Sequence, residues 1–400
     1  MTRFLIYLFP AIMDVVLGAV FFVTIDRMTA AKCSGLEVSF LTCSWALAYT
    51  VVSMLMGRFA RRENAAGLLI VAALGITLVS ALFMIFPGIY LQYLFIALTG
   101  MFAAMFFAPF QVFMRAVEDG KPAGVRRSTA LYTFSWSFGM ASGPFLSGFI
   151  ISLYNWRGCH IMNLALGIVV AVGVWLLKHH AEQNPVELTG VDEVEAEHEA
   201  SSREYAKMPD LAWVGWIVAG VGCLAVTIVR GLFQYRAEAL GVSAMHQGNI
   251  LALVSYSQAF TALFLGMMRY WMYRRLVPLA LAVSGIAGLL IIGLSVSIPV
   301  LYAGALLFGF FSSSFFFYFV FHSLVHPERS SVYVSVNESV VGVTAIIAPV
   351  IGGLIADGAG RDMPFLAMVP LVAVAAIFQC IIHGGRKVKD ALKERALVNG

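Results

Sequence analysis

Charge is scarce in this sequence. Of its 400 residues, 12% are Asp, Glu, Lys or Arg and 60% are hydrophobic, whereas a water-soluble domain carries about 25% charge. So few polar side chains cannot coat a water-facing surface, which excludes an ordinary soluble domain and leaves lipid as the solvent. Cysteine is sparse as well. Cys33, Cys43, Cys159, Cys223 and Cys380 stand singly, with no C-x-x-C pair and no His-rich neighbourhood. That excludes a disulfide framework or a zinc site and leaves them as small apolar fillers. Also missing are the G-x-x-x-x-G-K-[ST] phosphate loop, H-E-x-x-H, the nucleophile elbow, the dinucleotide glycine fingerprint and a TVGYG-like filter. These absences speak against ATP hydrolysis by the chain, against metal or cofactor chemistry and against a potassium channel. No catalytic residue, cofactor or nucleic-acid partner is assigned, and the chain does not read as an enzyme.

Long apolar runs are plentiful. A bilayer core needs about 20 apolar residues per helix. Such runs predict twelve helices, at 4–24, 38–56, 65–87, 90–114, 128–151, 159–177, 211–229, 249–268, 276–298, 300–322, 331–355 and 364–383. They are too long, and alternate too little, for the strands of a membrane barrel. The first run is read as a span and not a leader, because Asp14 interrupts it and no small-x-small cleavage site follows. The polar stretch 178–210 holds nine of the 22 acidic residues and reads as a solvated connector. The expected organisation is a six-helix bundle over 1–177, a linker over 178–210, a second six-helix bundle over 211–385 and a tail over 386–400.

Lys and Arg set the expected orientation. With the N-terminus placed in the cytoplasm, twenty of the 26 basic residues fall on the inner side, and only Arg27, Lys32, Arg157, Arg230, Arg236 and Arg361 fall outside. Both termini are therefore expected in the cytoplasm, in a plasma or bacterial inner membrane. Arg230 and Arg236 are expected at the outer end of helix 7, and no cation is expected deep in any span.

The two halves resemble each other. Gly100-Met101-Phe102-Ala103-Ala104-Met105-Phe106-Phe107 aligns without a gap on Gly309-Phe310-Phe311-Ser312-Ser313-Ser314-Phe315-Phe316. Gly143-Pro144-Phe145-Leu146-Ser147-Gly148 likewise meets Ala348-Pro349-Val350-Ile351-Gly352-Gly353. Helix n thus matches helix n+6. Six is an even number of spans, so the repeats run parallel, related by an axis along the membrane normal. Twelve spans as six plus six, a polar central loop and these matches resemble the major facilitator superfamily across essentially the whole chain. The fold this implies is all-α, with twelve transmembrane helices in two parallel-repeat six-helix bundles.

Two superfamily motifs compare residue by residue. The loop after helix 2 resembles G-x-x-x-D-R-x-G-R-R, with Gly57, Arg58 and Arg62 fitting, but Arg61 replaces the acid and Asn64 the second glycine. Helix 5 resembles the G-x-x-x-G-P-x-x-G-G of antiporter branches through Gly139, Gly143, Pro144 and Gly148, with Ser147 in place of one glycine. Glycine permits close helix approach and proline bends a helix, which suits a gate.

Acids inside a membrane are costly and mark function. Asp14 lies ten residues into helix 1, about 15 Å along it. Glu338 lies seven residues into helix 11 and aligns with Thr133. Both sit on helices that the resemblance assigns to a central cavity, and both are candidates for proton coupling. Gln111, Tyr132, Trp136, Gln234, Tyr256, Gln258, Tyr318 and Asn337 are candidates for lining that cavity. The resemblance implies a secondary active transporter of a small organic solute working by alternating access, proton-coupled and in the direction of efflux. A sugar or organic-acid uptake symporter and a non-transporting membrane sensor are the alternatives. The implied partners are the solute, membrane lipid and a proton or other coupling ion, with the chain acting as a monomer.

Overall fold

The computed structural model describes residues 2–61, 63–117, 125–183, 208–267, 271, 273–324 and 329–399. Among these residues there are thirteen helices and no strand. In the first half, α1 spans Thr2–Ala30, α2 Gly35–Phe59, α3 Ala65–Ile85, α4 Leu91–Val117, α5 Val125–Leu153 and α6 Trp156–Gln183. In the second, α7 spans Ala212–Ala239, α8 Ala244–Met267, α9 Leu276–Leu294, α10 Ile298–Leu324, α11 Ser330–Ala359 and α12 Met363–His383. The first twelve are long and apolar enough to cross a membrane. A further helix, α13 over Arg386–Asn399, occupies the expected tail and turns its buried Val388 inward.

Most helices outrun their apolar stretches. In lipid every backbone group must be bonded within the protein, so a helix continues until a local signal stops it. The clearest case is α7, expected to end at 229 and observed to end at Ala239. Its stop is Gly241, whose positive φ of 67° lets Gly241 N bond Glu238 O at 2.9 Å and Val242 N bond Ala237 O at 3.0 Å. The start of α2 is equally local. Ser34 and Glu37 form a reciprocal capping box there.

The packing repeats with a period of six helices. α1 lies on α5, α2 on α4, and α3 on α4 and α6; equally, α7 lies on α11, α8 on α10, and α9 on α10 and α12. The two six-helix bundles meet chiefly through α5 against α8 and α2 against α11, which are also equivalent under the same shift.

α5 is the central strut of that meeting. On one side, a methyl group on Gly139 would lie 2.1 Å from Ala11 O, and one on Gly143 would lie 2.6 Å from Ala19 N and Val15 O. On the other, a methyl on Gly148 would lie 2.6 Å from Ala244 O, and one on Gly248 2.3 Å from Pro144 O. The i, i+4 spacing of Gly139 and Gly143 puts both on the face toward α1. α5 thus touches its own bundle and the opposite one by backbone.

Gly139→Ala is expected to lower stability by at least the roughly 1–3 kcal/mol of core overpacking, read as a fall in the thermal midpoint of purified protein in detergent. Gly67→Ala, where an added methyl meets nothing within 4 Å, is expected to leave the midpoint unchanged or slightly raised. Equal midpoints for the two variants would contradict the close approach.

Candidate functional site

Asp14 lies midway along α1, 5% exposed, with Oδ2 lacking any hydrogen-bond partner. Gly139 of α5 backs onto it, since a methyl there would lie 2.9 Å from the Asp14 Cβ. The cation whose field reaches Asp14 is Arg230. This corrects the expectation that no cation lies deep in a span. Because α7 continues to Ala239, Arg230 sits inside the 28-residue helix and not at its outer rim.

Arg230 is held by neutral groups. Its Nη2 donates to Ser255 Oγ at 3.2 Å and to Gln258 Oε1 at 3.1 Å, both on α8, and its Nε has no partner. Gln258 is fully buried and spans the joint. Its Oε1 also accepts from Ser312 Oγ of α10 at 2.7 Å, and its Nε2 donates to Ser137 Oγ of α5 at 3.2 Å. A carboxyl from the first bundle and a guanidinium from the second therefore lie within each other's field, beside an amide that ties the bundles together.

Glu338 stands apart from this knot. Its side chain is exposed, and its field reaches Tyr49 of α2 and Cys223 of α7. Tyr49 also feels Asp14 and stacks on Trp45 at 4.7 Å between ring centroids.

The other expected cavity residues divide. Trp136 is half-buried and meets Phe316 of α10 edge-on at 5.9 Å. Tyr256 OH lies 2.9 Å from Ser142 Oγ across the α5–α8 seam. Gln234 donates to Phe22 O of α1 at 3.1 Å, leaving its own Oε1 without a partner. Tyr318 and Asn337 bond within the second bundle. Tyr318 OH bonds His383 Nε2 at 2.6 Å, while Asn337 Oδ1 accepts from Trp216 Nε1 and Ser323 Oγ, each at 2.9 Å. Helical phase explains this, since a third of a turn separates a seam-facing residue from a bundle-facing one. The side chains of Gln111 and Tyr132, and with them Gly57 and Arg62 of the loop motif, lie outside the described residues, while Arg58 is exposed at the end of α2.

One functional group escaped sequence reasoning. Asp357, in the last turn of α11, accepts from Gly35 N at 2.6 Å and Leu36 N at 2.9 Å, so it caps the N-terminus of α2 in the other bundle. Tyr235 OH reaches the same carboxylate at 3.4 Å. A carboxylate at a helix N-terminus meets orphan N–H groups and the positive end of the helix dipole. Close by, a methyl on Gly353 would lie 2.7 Å from Ser39 Oγ. The end of the molecule carrying the α1–α2 and α11–α12 loops is therefore latched shut between the bundles. Arg236, by contrast, is an anchor within one bundle. It is 2% exposed and bonds Asp362, Gly293 O at 3.0 Å and Ser295 O at 2.9 Å.

A polar joint of opposite charges between two six-helix repeats defines a membrane protein of the transporter class. The family model described as Major Facilitator Superfamily matches residues 4–235 and again 215–397, so the chain belongs to that superfamily. Among curated proteins, the thioclapurine efflux transporter of Claviceps purpurea (strain 20.1) is 31% identical over 143 residues, 35% of this chain. The match spans only 23% of that relative's length. Among solved structures, a bacterial homologue of the human lysosomal transporter Spinster, inward-facing and unoccupied, has a TM-score of 0.72 at 15% identity, covering 98% of this chain and 97% of that one. The nucleoside transporter NupG has a TM-score of 0.69 at 12% identity, covering 96% and 100%. At such identities these structures share the fold.

Asp357→Ala is expected to loosen the latched end. Loss of a capping carboxylate costs about 0.5–2 kcal/mol, which shifts a two-state balance by about 2- to 30-fold. Distances between spin labels on the first turn of α2 and the last turn of α11 report it as a larger far population. An unchanged distribution would contradict a latching role.

Proposed function

We propose that this chain moves a small organic solute across the membrane by alternating access, with a proton on Asp14 as the coupling ion. The observation that carries the reading is the buried, partly unbonded carboxyl of Asp14 on α1, within the field of Arg230 on α7 at the joint between the bundles. A charge in that place is costly unless it is paired or neutralised. Its two ways of being satisfied, by Arg230 or by a proton, give the joint two chemical states. Rocking of one bundle on the other supplies the two shapes.

The latch of Asp357 on α2 and the glycine seam of α5 on α8 support a conformation closed at one end. Glu338, exposed nearer the opposite end, supports an opening there. With both termini in the cytoplasm, as the Lys and Arg distribution favours, the open end is the inner one. The membrane is then a plasma or bacterial inner membrane, the working unit one chain, and the halves meet through the 178–210 connector.

Efflux is the second reading of direction. It is favoured by the Gly139–Gly143–Pro144 motif of α5 and by the name of the Claviceps purpurea relative.

Proteoliposomes with an imposed pH gradient test the coupling. Wild-type flux should follow the gradient, Asp14→Asn should lose that response while keeping energy-independent exchange, and Glu338→Gln should lose it only in part. Wild-type flux that ignores the gradient, or an Asp14→Asn variant that follows it fully, would overturn the assignment.

A further inference from the structure

Arg230 holds a positive charge at all relevant pH, yet its hydrogen bonds go to the neutral groups Ser255 and Gln258 and its Nε is unbonded. The carboxyl whose field it meets is Asp14, one of whose oxygens is also unbonded. Among the described residues, Arg230 is the one charge whose field acts on Asp14. α5 contributes the backbone of Gly139, α2 contributes Tyr49, and Glu338 of α11 reaches Tyr49. The site thus has one guanidinium, one carboxyl that compensates it, and donor capacity left over on the guanidinium.

Four occupancies follow. With Asp14 ionised and no cargo, the pair is neutral overall. With Asp14 protonated and an anion on Arg230, the site is again neutral. The other two, a protonated Asp14 beside an empty Arg230 and an ionised Asp14 beside a bound anion, each leave one uncompensated charge in a water-poor joint. Such a charge is strongly disfavoured. Only the two neutral states are suited to the rocking step.

We infer that the cargo is a small organic carboxylate seated on Arg230 beside Gln258, and that it crosses together with one proton on Asp14, without net charge. This rests on the proton-coupled reading above and names its substrate class. One guanidinium matches the single charge of a carboxylate and its two oxygens. A phosphate monoester, carrying about −1.5 to −2, would overcharge the site. The free Nε and the Nη2 now spent on Ser255 and Gln258 are the donors such a carboxylate would take up. Proton and anion move in the same direction, so an inward proton gradient drives uptake, the organic-acid alternative seen in the sequence.

The test uses wild-type protein in proteoliposomes with a trapped pH dye, given C2 to C8 monocarboxylates and hydroxy-acids, each beside its neutral amide. At least one carboxylate should acidify the lumen faster than protein-free vesicles do. Its initial rate should be unchanged when valinomycin and potassium clamp the membrane potential, and its amide should be silent. Arg230→Gln should cut that rate by about 10- to 100-fold, the loss expected for a charged hydrogen bond. Because Arg230→Gln leaves Asp14 without a compensating charge and so destabilises the fold, the double variant Asp14→Asn/Arg230→Gln, which removes both charges, serves beside it. It should elute as a monodisperse peak, lose carboxylate flux and lose its pH response. Silence of every carboxylate, a rate that follows the clamped potential, or full carboxylate flux in the double variant would each overturn the inference. Gradient-driven flux of an amide in place of its acid would overturn the carboxylate seat and leave proton coupling standing. Flux that ignores the gradient altogether would remove the coupling itself.

Discussion

α5 touches two neighbours at once by backbone. Gly139 and Gly143 bring its backbone onto α1, while Pro144 and Gly148 bring it onto Ala244 and Gly248 of α8. Small residues let the backbones approach closely at these points, while Phe134 against Phe260 and Phe138 against Tyr256 pack beside them. Pro144 adds to this by having no N–H for the Met140 carbonyl one turn earlier. That carbonyl faces α1, where a methyl on Gly18 would lie 3.0 Å from it. A helix missing one internal bond, and meeting two neighbours by backbone at its glycines, is a suitable place for a joint.

The charged site hangs on that same strut. Ser137 is two residues before Gly139, and it holds Gln258, which holds Arg230. Gly139 in turn backs onto Asp14. Any tilt of α8 against α5 therefore alters how Arg230 meets Asp14, and a change of charge at Asp14 alters how tightly the seam is drawn. Seam geometry and site electrostatics are one mechanical unit, separated by less than a helical turn on α5. The latch at Asp357 lies at the far end of the same inter-bundle surface and uses a different chemistry. There a carboxylate meets backbone N–H groups, which offer direction and partial charge but no full cation. A contact of that strength closes the end without locking it.

Much of this was legible in the sequence, for physical reasons. Twelve spans follow from apolar length, and the two-fold repeat follows from Gly and Pro positions that packing cannot easily vary. Asp14 announces itself because an acid in an apolar run has no cheap explanation. Arg230 was misplaced because hydropathy ends helix 7 where polar residues begin, at 229, although those residues continue the helix inside the protein. Tyr318 and Asn337 were assigned to the cavity by residue type, and type says nothing of helical phase. Asp357 left no signal, since its partners at Gly35 and Leu36 lie 322 and 321 residues away. A carboxylate capping a backbone has no partner side chain to look for.

Polar groups in this molecule differ by what they are bonded to. Asn337 is satisfied by Trp216 and Ser323, and Tyr318 by His383, all within the second bundle. Arg236 ties α7 to the loop before α10 and to the start of α12 in the same way. These contacts tie helices of the second bundle to one another, although Arg236 Nη1 and His383 Nδ1 keep no partner. At the joint, Asp14, Arg230 and Gln234 each keep an atom without a partner. An unsatisfied buried group costs about 1–3 kcal/mol, more when charged. That cost falls on the surface between the bundles, where a proton, a cargo or a change of shape relieves it. Unpaired atoms also occur inside the bundles, at Gln92, His160 and Asn163 among others, but those at the joint lie where a proton, a cargo or a change of shape acts on the relation between the bundles and not on their interiors.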